Sequence, residues 1–357
     1  MALVHVPIKD NEYDILVERG SLGNIGEIAK SVLKKGARVL IVTDENVEPL
    51  YGDAVRNSLS AAGINSITMI LKPGESSKSY KTLESIYSFA FTNKLTRADA
   101  IVALGGGIVG DVAGFAAATI FRGIDYIGVP TSLLAQVDSS VGGKVAINTE
   151  FGKNLVGAFY QPKCVLIDPN TIKTLTPEYF SDGMAEVIKY GCIKSETLFD
   201  TLNNNSEHLE GLLEEIIVQC CSIKADVVLI DERDTGERMV LNFGHTVGHA
   251  LEKAYGSKGL SHGVGVHIGM CVMAKYGEKL GITENGTAKQ IIECGHKYGL
   301  SDKYEIEDMQ VLADAMNLDK KSDSEEINIV LLEKIGKAII KKVNKRDFIK
   351  DLSELLN

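Results

Sequence analysis

The segment NFGHTVGHALEKAYGSKGLSHGVGVHIGM, residues 242–270, holds four of the chain's seven histidines. His245 and His249 are four residues apart, so on a helix they share one face and could bind one metal ion. Zinc proteases place a glutamate between two such histidines, but here the intervening residues are Thr246, Val247 and Gly248. Because no glutamate stands there to activate water, the pattern argues against a protease.

A second helix is expected close to the first. The helix predicted over residues 242–252 should end at the glycines of GSKG, residues 256–259. Ser261 is then in position to cap the next helix, with His262 in its first turn. An antiparallel return would bring His262 back toward His245, where both imidazoles could contact one ion.

A catalytic metal typically takes three protein ligands and leaves one position open. His267 lies about 140° around the helix from His262, inside the apolar run VGVHIGMCVM, and is interpreted as a core residue. Glu186, in the otherwise apolar segment GMAEVIKYG, offers a carboxylate, with Lys189 one turn later on the same face. A glutamate that faces solvent is an equally good interpretation of Glu186.

A glycine-rich loop, ALGGGIVGDVAGFAAATI, follows a strand-like run and opens a helix of small residues. Gly105, Gly107 and Gly110 fit G-x-G-x-x-G, in which bare glycines let backbone N–H groups approach a pyrophosphate. Tight packing of strand against helix is the alternative explanation. The loop follows a late strand, and Asp125, at the spacing of a ribose-binding acid, lies at a strand start where its carboxylate would point away.

Polar residues also follow other predicted strands. Asp44 and Asn46 lie in TDENV, and Glu75 and Lys78 lie in KPGESSKSYKT. Strand carboxyl ends line the ligand crevice in open α/β sheets, although each residue alone is more often a turn or cap residue. Their recurrence at successive strand ends favours a nucleotide site.

Several cations lie in unusual surroundings. Lys144 stands between a glycine pair and Val-Ala-Ile, and Lys153 and Asn154 follow another glycine. Arg122 in IFRGIDYIG and Arg238 before NFGH are further cations of this kind. Burying such charges is costly unless an anion pairs with them, so we expect phosphate and carboxylate binding here. Lysines extended along a surface hairpin are the alternative.

The composition excludes several classes of protein. The chain has 357 residues, 45% hydrophobic and 24% charged, and its net charge of −10 argues against nucleic acid or anionic membrane as a partner. Its six cysteines form no C-x-x-C pair and are expected to be reduced core residues of a cytoplasmic protein. Neither a signal peptide nor an apolar run of membrane-spanning length is expected.

Two domains are predicted from the change in pattern along the chain. The first half alternates short β-rich runs with helical patterns, which predicts a parallel sheet in a Rossmann-like α/β domain. The β-rich runs are ARVLIVTD, NSITMILK, ADAIVALGGG, DYIGVPTS and CVLID. Long helical patterns follow Asn170, so residues 1–176 are expected to bind a nucleotide and residues 177–357 to form an all-α metal- and substrate-binding domain.

The motifs together resemble one family. GGGIVGDVAGFAAAT, VPTSLLAQVDSSVGGKVAIN, GKNLVGAFYQP, GMAEVIKYG and NFGHTVGHALE with SHGVGV closely resemble the 3-dehydroquinate synthases of the shikimate pathway. The likeness runs from about Asp44 to Lys321 in family order. It implies conversion of 3-deoxy-D-arabino-heptulosonate 7-phosphate to 3-dehydroquinate and phosphate, with NAD+ and Zn²⁺ or Co²⁺, in a cytoplasmic homodimer.

The resemblance also implies residue roles. The metal ligands are Glu186, His245 and His262, in agreement with the helix-facing argument. The catalytic residues are His249, Lys144, Lys189, Asp138, Lys224 and Asn242. The substrate-binding residues are Arg122, from the same or the partner subunit, with Lys144, Lys153, Asn154, Asp234, Arg238 and either Lys320 or Lys321. NAD is held by Asp44, Asn46, Glu75, Lys78, Gly105, Gly106, Gly107, Ile108, Val109, Gly110, Asp111, Thr131, Ser132, Lys144, Lys153, Thr171, Ile172, Lys173 and Thr174.

Three residues depart from the family pattern. Asp234 stands where glutamate is usual, Glu237 replaces a commonly apolar residue, and Val264 follows His-Gly where glutamate is common. None of these changes removes an expected ligand.

Three alternatives remain from the sequence. A sister sugar-phosphate cyclase such as 2-deoxy-scyllo-inosose synthase is the nearest, although GGKVAIN favours the dehydroquinate branch. A metal-dependent polyol dehydrogenase would share the nucleotide and metal sites but has little use for the cationic set. A catalytically silent nucleotide-binding module should lack Glu186 or a histidine.

Overall fold

The computed structural model describes residues 1–9, 11–234, 236–255, 259–303 and 326–356. The chain forms two compact units. The first comprises Met1–Leu175 and Leu213–Arg233, and the second comprises Thr176–Leu212 and Asp234–Asn357.

The first unit is an α/β domain. Its strands are β1 (Ala2–Val6), β2 (Tyr13–Val17), β3 (Val39–Asp44), β4 (Ser66–Leu71), β5 (Ala100–Gly105), β6 (Tyr126–Pro130), β7 (Lys144–Thr149), β8 (Gly152–Phe159) and β9 (Cys164–Ile167). Its helices are α1 (Ile25–Val32), α2 (Asp53–Ala61), α3 (Tyr80–Thr92), α4 (Gly107–Thr119) and most of α7 (Leu209–Ile230). Short helical turns include Glu75–Ser77, Ile120–Arg122, Ala135–Ser139 and Pro169–Thr174.

Seven strands form one sheet in the order β1-β2-β9-β6-β5-β3-β4. All its pairings are parallel except β1 with β2, which confirms the predicted parallel sheet. The chain runs outward from β3 to β4 and then returns to place β5 on the other side of β3. Ligands of open α/β sheets bind where strand order reverses in this way. The strand ends that carry Asp44 and Gly105 therefore lie at the expected place.

Alternation along the buried strands builds two cores. Leu40, Val42 and Ala103 pack on one face of the sheet with α3 and α4, while Val39 and Ile41 pack on the other with α1 and α2. Successive side chains of a strand point to opposite faces, so a continuous apolar run such as VLIV supplies both layers.

The second unit is mainly helical. Its helices are α5 (Pro177–Lys194), α6 (Glu196–Asn204), α8 (His245–Tyr255), α9 (His262–Lys279), α10 (Thr287–Lys297) and α11 (Lys345–Leu356). Its strands are β10 (Glu326–Lys334) and β11 (Lys337–Asn344), and a 3-10 helix spans Glu237–Asn242. None of the helices in the described part of the chain is long and apolar enough to cross a membrane.

Three details differ from the sequence-based expectations. The second unit is not all-α, because β10 and β11 form an antiparallel hairpin. A single division at residue 176 is also too simple, since Leu213–Arg233 belongs to the first unit. There the Cys221 thiol donates to the Gln136 carbonyl oxygen at 3.3 Å, and Lys224 Nζ pairs with Asp138 Oδ1 at 3.0 Å. The helix predicted from residue 242 begins at His245, because the 3-10 helix occupies the residues before it.

The helices α8 and α9 pack closely through glycines. A Cβ atom at Gly248 would lie 2.8 Å from the carbonyl oxygen of Gly265, and one at Gly269 would overlap the carbonyl oxygen of Gly244. Side chains at these positions would push the helices apart. The glycines therefore set the spacing of the two helices that carry His245 and His262.

Candidate active site

In the first unit, the glycine loop leads from β5 into α4. Gly106 is extended (φ −74°, ψ −171°) and no side chain caps the helix. A Cβ at Gly107 would lie 2.9 Å from Ser139 Oγ, and one at Gly106 would lie 3.4 Å from Ser132 Oγ. A side chain at Gly107 would crowd Ser139, and without one the N–H groups at the start of α4 can approach an anion.

Other predicted nucleotide residues follow the neighbouring strands. Asp44 Oδ1 accepts from the backbone N–H groups of Asn46 at 2.9 Å and Val47 at 3.1 Å, so it caps its own turn. Glu75 Oε1 accepts from Asn148 Nδ2 at 2.6 Å. A cavity beside the loop is lined by Gly105, Asp111, Ser139, Ser140 and Lys144, among others.

Two buried lysines of the first unit pair with acids. Lys78 donates to Asp111 Oδ2, and Lys224 donates to the carbonyl oxygen of Asp138 at 2.6 Å in addition to its carboxylate. Burial raises the pKa of Asp111 above its usual value, although the charge of Lys78 opposes that shift. Since both ammonium groups are paired with carboxylates, they hold the loop residues in place.

The cationic hairpin of β7 and β8 is more open than expected. Lys144 and Lys153 are exposed, whereas Val145 and Ile147 are buried. Alternate residues of a strand face opposite ways, so the apolar neighbours of Lys144 do not surround its ammonium group. The argument that burial requires a bound anion therefore does not hold for these lysines. Asn154 adopts a left-handed φ of 57°.

In the second unit, Glu186, His245 and His262 come together as one possible metal-binding group, with ligand atoms within 4.8 Å of one another. The Nε2 atoms of both histidines lie 3.4 Å from Glu186 Oε1. This oxygen is buried and has no hydrogen-bond partner among the described residues. Two imidazole nitrogens and an unsatisfied carboxylate oxygen facing a common point fit a divalent metal with nitrogen and oxygen ligands.

Hydrogen bonds orient each of these ligands. His245 Nδ1 lies 3.3 Å from the carbonyl oxygen of Phe243, and His262 Nδ1 lies 3.0 Å from Glu252 Oε1. These contacts leave both Nε2 atoms directed at Glu186. Lys189 donates to Glu186 Oε2, so that the other carboxylate oxygen is the one that faces the histidines.

The carboxylates of the cluster favour a positive charge at His262. Burial opposes ionisation of Glu186, but Lys189, His245 and His262 outweigh it and hold the pKa of Glu186 well below its usual value. Burial lowers the pKa of His245 to about 3. For His262 burial acts in the same direction, but the neighbouring carboxylates of Glu186 and Glu252 raise its pKa to about 10. A cation can replace the proton that these carboxylates attract to His262.

The remaining two histidines of the motif have different surroundings. His249 is exposed, and its ring centroid lies 5.3 Å from that of His245. His267 is fully buried, with Nε2 3.6 Å from Cys271 Sγ and its ring against Gly295. The structure therefore places His267 in the core, as expected.

A residue of α5 positions the start of α9, the helix that carries His262. Ser261 occupies the N-cap position of α9, as expected, but its hydroxyl donates to Asp182 Oδ1 at 2.6 Å instead of capping the helix. The same carboxylate oxygen accepts from the backbone N–H of Gly263 at 3.0 Å. Asp182 on α5 thus caps α9 beside His262.

Sequence analysis missed Asp182 and Glu252. Glu252 lies three residues after His249 on the same helix face, and this spacing could have identified it as a neighbour of the histidines. Asp182 is linked to α9 only through tertiary structure.

Other predicted site residues are found in both units. In the second, Arg238 is buried, Asp234 is half-buried with a left-handed φ of 58°, and Asn242 is exposed. In the first, Arg122 is exposed with a φ of 69°. Lys320 and Lys321 lie outside the described residues.

The turn after β9 completes the nucleotide segments of the first unit. Thr171 and Ile172 are buried and Lys173 and Thr174 are exposed in Pro169–Thr174. Tyr51 Oη lies 2.7 Å from Thr174 Oγ1.

The fold and these residues define a two-domain α/β protein with a candidate nucleotide site in one unit and a candidate metal site in the other. A crystal structure of 2-deoxy-scyllo-inosose synthase complexed with carbaglucose-6-phosphate, NAD+ and Co²⁺ is similar with a TM-score of 0.87 and 25% identity, covering 99% of this chain and 100% of that one. A glycerol dehydrogenase from Schizosaccharomyces pombe shares the fold at a TM-score of 0.64 and 15% identity, over 96% of this chain and 88% of its own.

The sequence comparisons are more specific. The family described as 3-dehydroquinate synthase N-terminal matches residues 68–182, and 3-dehydroquinate synthase C-terminal matches residues 183–322. The 3-dehydroquinate synthase of Clostridium beijerinckii is 47% identical over 95% of this chain and 97% of its own length. That of Clostridium perfringens is 48% identical over the same shares of the two chains. The chain belongs to the 3-dehydroquinate synthase family.

Proposed function

We propose that this chain converts 3-deoxy-D-arabino-heptulosonate 7-phosphate to 3-dehydroquinate and phosphate, as a carbon–oxygen lyase that uses NAD+ and a divalent metal. The observation that carries the proposal is the convergence of Glu186, His245 and His262 in a member of this family. The reaction consists of oxidation, β-elimination of phosphate, reduction, ring opening and aldol closure, with no net change of oxidation state.

Zn²⁺ or Co²⁺ would be held by Glu186, His245 and His262. The unsatisfied Glu186 oxygen and the two directed Nε2 atoms support this assignment. When bound, the metal would acidify a substrate hydroxyl, and NAD+ would accept a hydride and return it later. Lys189 keeps the carboxylate of Glu186 ionised and aligned for this role.

The dinucleotide is proposed to lie along the carboxyl ends of β3, β5, β6 and β9. The bare glycine loop supports a pyrophosphate at the start of α4. The Lys78–Asp111 pair links that helix to the turn after β4.

The cations are proposed to hold the two anionic ends of the substrate. In the first unit Lys144 and Lys153 would bind phosphate or carboxylate, with Asn154 beside them, and in the second unit Arg238 would bind a group of the same kind. Holding both ends reduces the conformational entropy that the substrate must lose during ring closure. Positioning therefore contributes much of the rate enhancement. His249, exposed beside the metal cluster, would transfer protons to and from the substrate.

Composition and family support a proposal for the location and the oligomeric state of the enzyme. We place it in the cytoplasm as a homodimer, with Arg122 of one subunit reaching the partner's site and with no role for nucleic acid or membrane. Light scattering that gives the mass of a monomer at assay concentration would contradict the dimer, and recovery outside the cytoplasmic fraction would contradict the location.

The test follows phosphate and NADH absorbance together, with substrate in large excess over NAD+. Many equivalents of phosphate per NAD+ should appear without matching NADH, and Glu186→Gln should abolish this release. One NADH per substrate without phosphate would instead indicate a polyol dehydrogenase. A carbocycle without a carboxylate, formed from a hexose phosphate, would indicate a sister cyclase, and no turnover of either substrate would indicate a silent nucleotide-binding module.

A further inference from the structure

A fully buried glutamine connects two of the segments that are proposed to bind the dinucleotide. Thr131 and Ser132 follow β6, and the turn from Thr171 to Thr174 follows β9, which is the parallel neighbour of β6. Gln136 lies between these segments and is 0% exposed. Neither the family motifs nor the proposed chemistry assigns a role to this side chain.

Three acceptors surround the amide nitrogen of Gln136. Nε2 lies 3.2 Å from the carbonyl oxygen of Pro130, 3.2 Å from that of Asp168, and 2.9 Å from Thr171 Oγ1. Carbonyl oxygens cannot donate, so the amide nitrogen and not its oxygen must face them. Gln136 thereby joins the end of β6 to the turn after β9.

The far side of this bridge is itself anchored. Thr171 Oγ1 donates to the Asp168 carbonyl oxygen at 2.9 Å. The Asp168 carboxylate accepts from the backbone N–H groups of Gly20 at 2.9 Å, Leu22 at 3.3 Å and Asn170 at 3.0 Å. The Gln136 amide oxygen is buried without a hydrogen-bond partner among the described residues, so the contacts of Nε2 alone hold this side chain in its orientation. Loss of the Gln136 amide would release the turn from β6 while its link to Gly20 and Leu22 remains.

We propose that Gln136 is a positioning residue for the dinucleotide, because it holds the two segments at the spacing that the bound cofactor requires. The inference rests on the proposed NAD site. The backbone of Gln136 belongs to Ala135–Ser139, the short helix that also carries Asp138. One side chain thus sets the relative positions of three proposed site segments.

Gln136→Met tests the role, since methionine keeps the length of the side chain and removes both amide hydrogens. The dissociation constant for NAD+, measured by calorimetry, should rise about tenfold, which corresponds to about 1.4 kcal/mol. With NAD+ raised to saturation, kcat and the KM for the heptulosonate phosphate should return to within about twofold of the wild type, because the bound cofactor then restores the spacing.

Thr171→Val provides a second, milder variant, because valine has the same shape and removes only the hydroxyl from the bridge. It should also weaken NAD+ binding. In the double variant, the loss of NAD+ binding free energy should be smaller than the sum of the losses in the two single variants. Ser21→Ala is the matched control: the Ser21 hydroxyl donates to the carbonyl oxygen of Ile167 at 3.3 Å, also at the end of β9, but does not touch the bridge. Its NAD+ affinity should not change.

The outcomes separate this inference from the proposed function. If the wild type itself does not bind NAD+, the proposed cofactor is wrong. If the wild type binds NAD+ and both variants bind it equally well, with only a lower melting temperature, the bridge is merely structural and the inference fails. Additive effects in the double variant would also overturn it.

Discussion

Glu252 determines how His262 is presented to the metal cluster. Its carboxylate accepts at 3.0 Å from Nδ1, which leaves Nε2 for a metal. Carboxylates that bond the second nitrogen of a metal-binding histidine fix its tautomer and raise its basicity. At the scale of the residue, the ligand set therefore depends on a side chain that does not face Glu186.

Glu252→Gln should weaken metal binding by about ten- to a hundredfold with the fold intact, because the amide does not supply the negative charge that raises the basicity of His262. Competition with a chromophoric chelator measures the affinity. Glu293→Gln, the same change at an exposed site on α10, is the control. His249, Glu252 and His262 also form a possible metal group, so two metal ions per chain would instead make Glu252 a ligand.

Lys144→Met should leave the melting temperature nearly unchanged, because the side chain is exposed. Turnover should fall by about a hundredfold or more if Lys144 positions the substrate. Steady-state kinetics and thermal melting check the two parts, with the exposed Lys35→Met as the control. A variant that unfolds but turns over normally while folded would show that Lys144 is structural.

At the scale of the element, the spacing of α8 and α9 brings His245 and His262 together. Both helices were predicted from periodicity and from the glycines between them, and α9 begins at His262 as expected. Their separation was not predicted, since it depends on which glycines face each other across the helix pair. The exposure of Lys144 was missed for a related reason: a run of neighbours in sequence does not reveal which face of a strand is covered.

Gly269→Ala should lower both the melting temperature and the metal affinity, because the added methyl group would overlap the carbonyl oxygen of Gly244. Loss of about 1–3 kcal/mol is typical of overpacking. Gly211→Ala on α7 is the control, since no atom of the described part of the chain is recorded within 4 Å of its Cβ position. Metal affinity that survives a large fall in melting temperature would show that helix spacing does not set the ligand geometry.

At the scale of the whole molecule, the proposed cofactors belong to different compact units. The nucleotide segments lie in the unit of Met1–Leu175 and Leu213–Arg233, and the proposed metal ligands lie in the other. A ligand stabilises the structure that binds it and suppresses local opening there.

Hydrogen exchange should therefore show two separate patterns of protection. NAD+ alone should protect residues 105–111 and 171–174, and Zn²⁺ alone should protect α5, α8 and α9. Dialysis against a chelator should remove the protection caused by Zn²⁺ and leave the protection caused by NAD+. Zn²⁺ that protects the glycine loop but not α8 would place the metal elsewhere.

The amino-acid sequence by itself determined the parallel sheet, the helical second half, the family and the two histidines of the proposed metal cluster, because periodicity, strand-end chemistry and motif spacing are local properties. It left Glu186 evenly balanced between a ligand and a surface residue. Only the tertiary structure brought Glu186 to two histidines, assigned Asp182 to cap α9, returned α7 to the first unit and buried Gln136 between two turns. Each of these contacts joins segments far apart in the chain, and their approach depends on side-chain packing that no local pattern encodes.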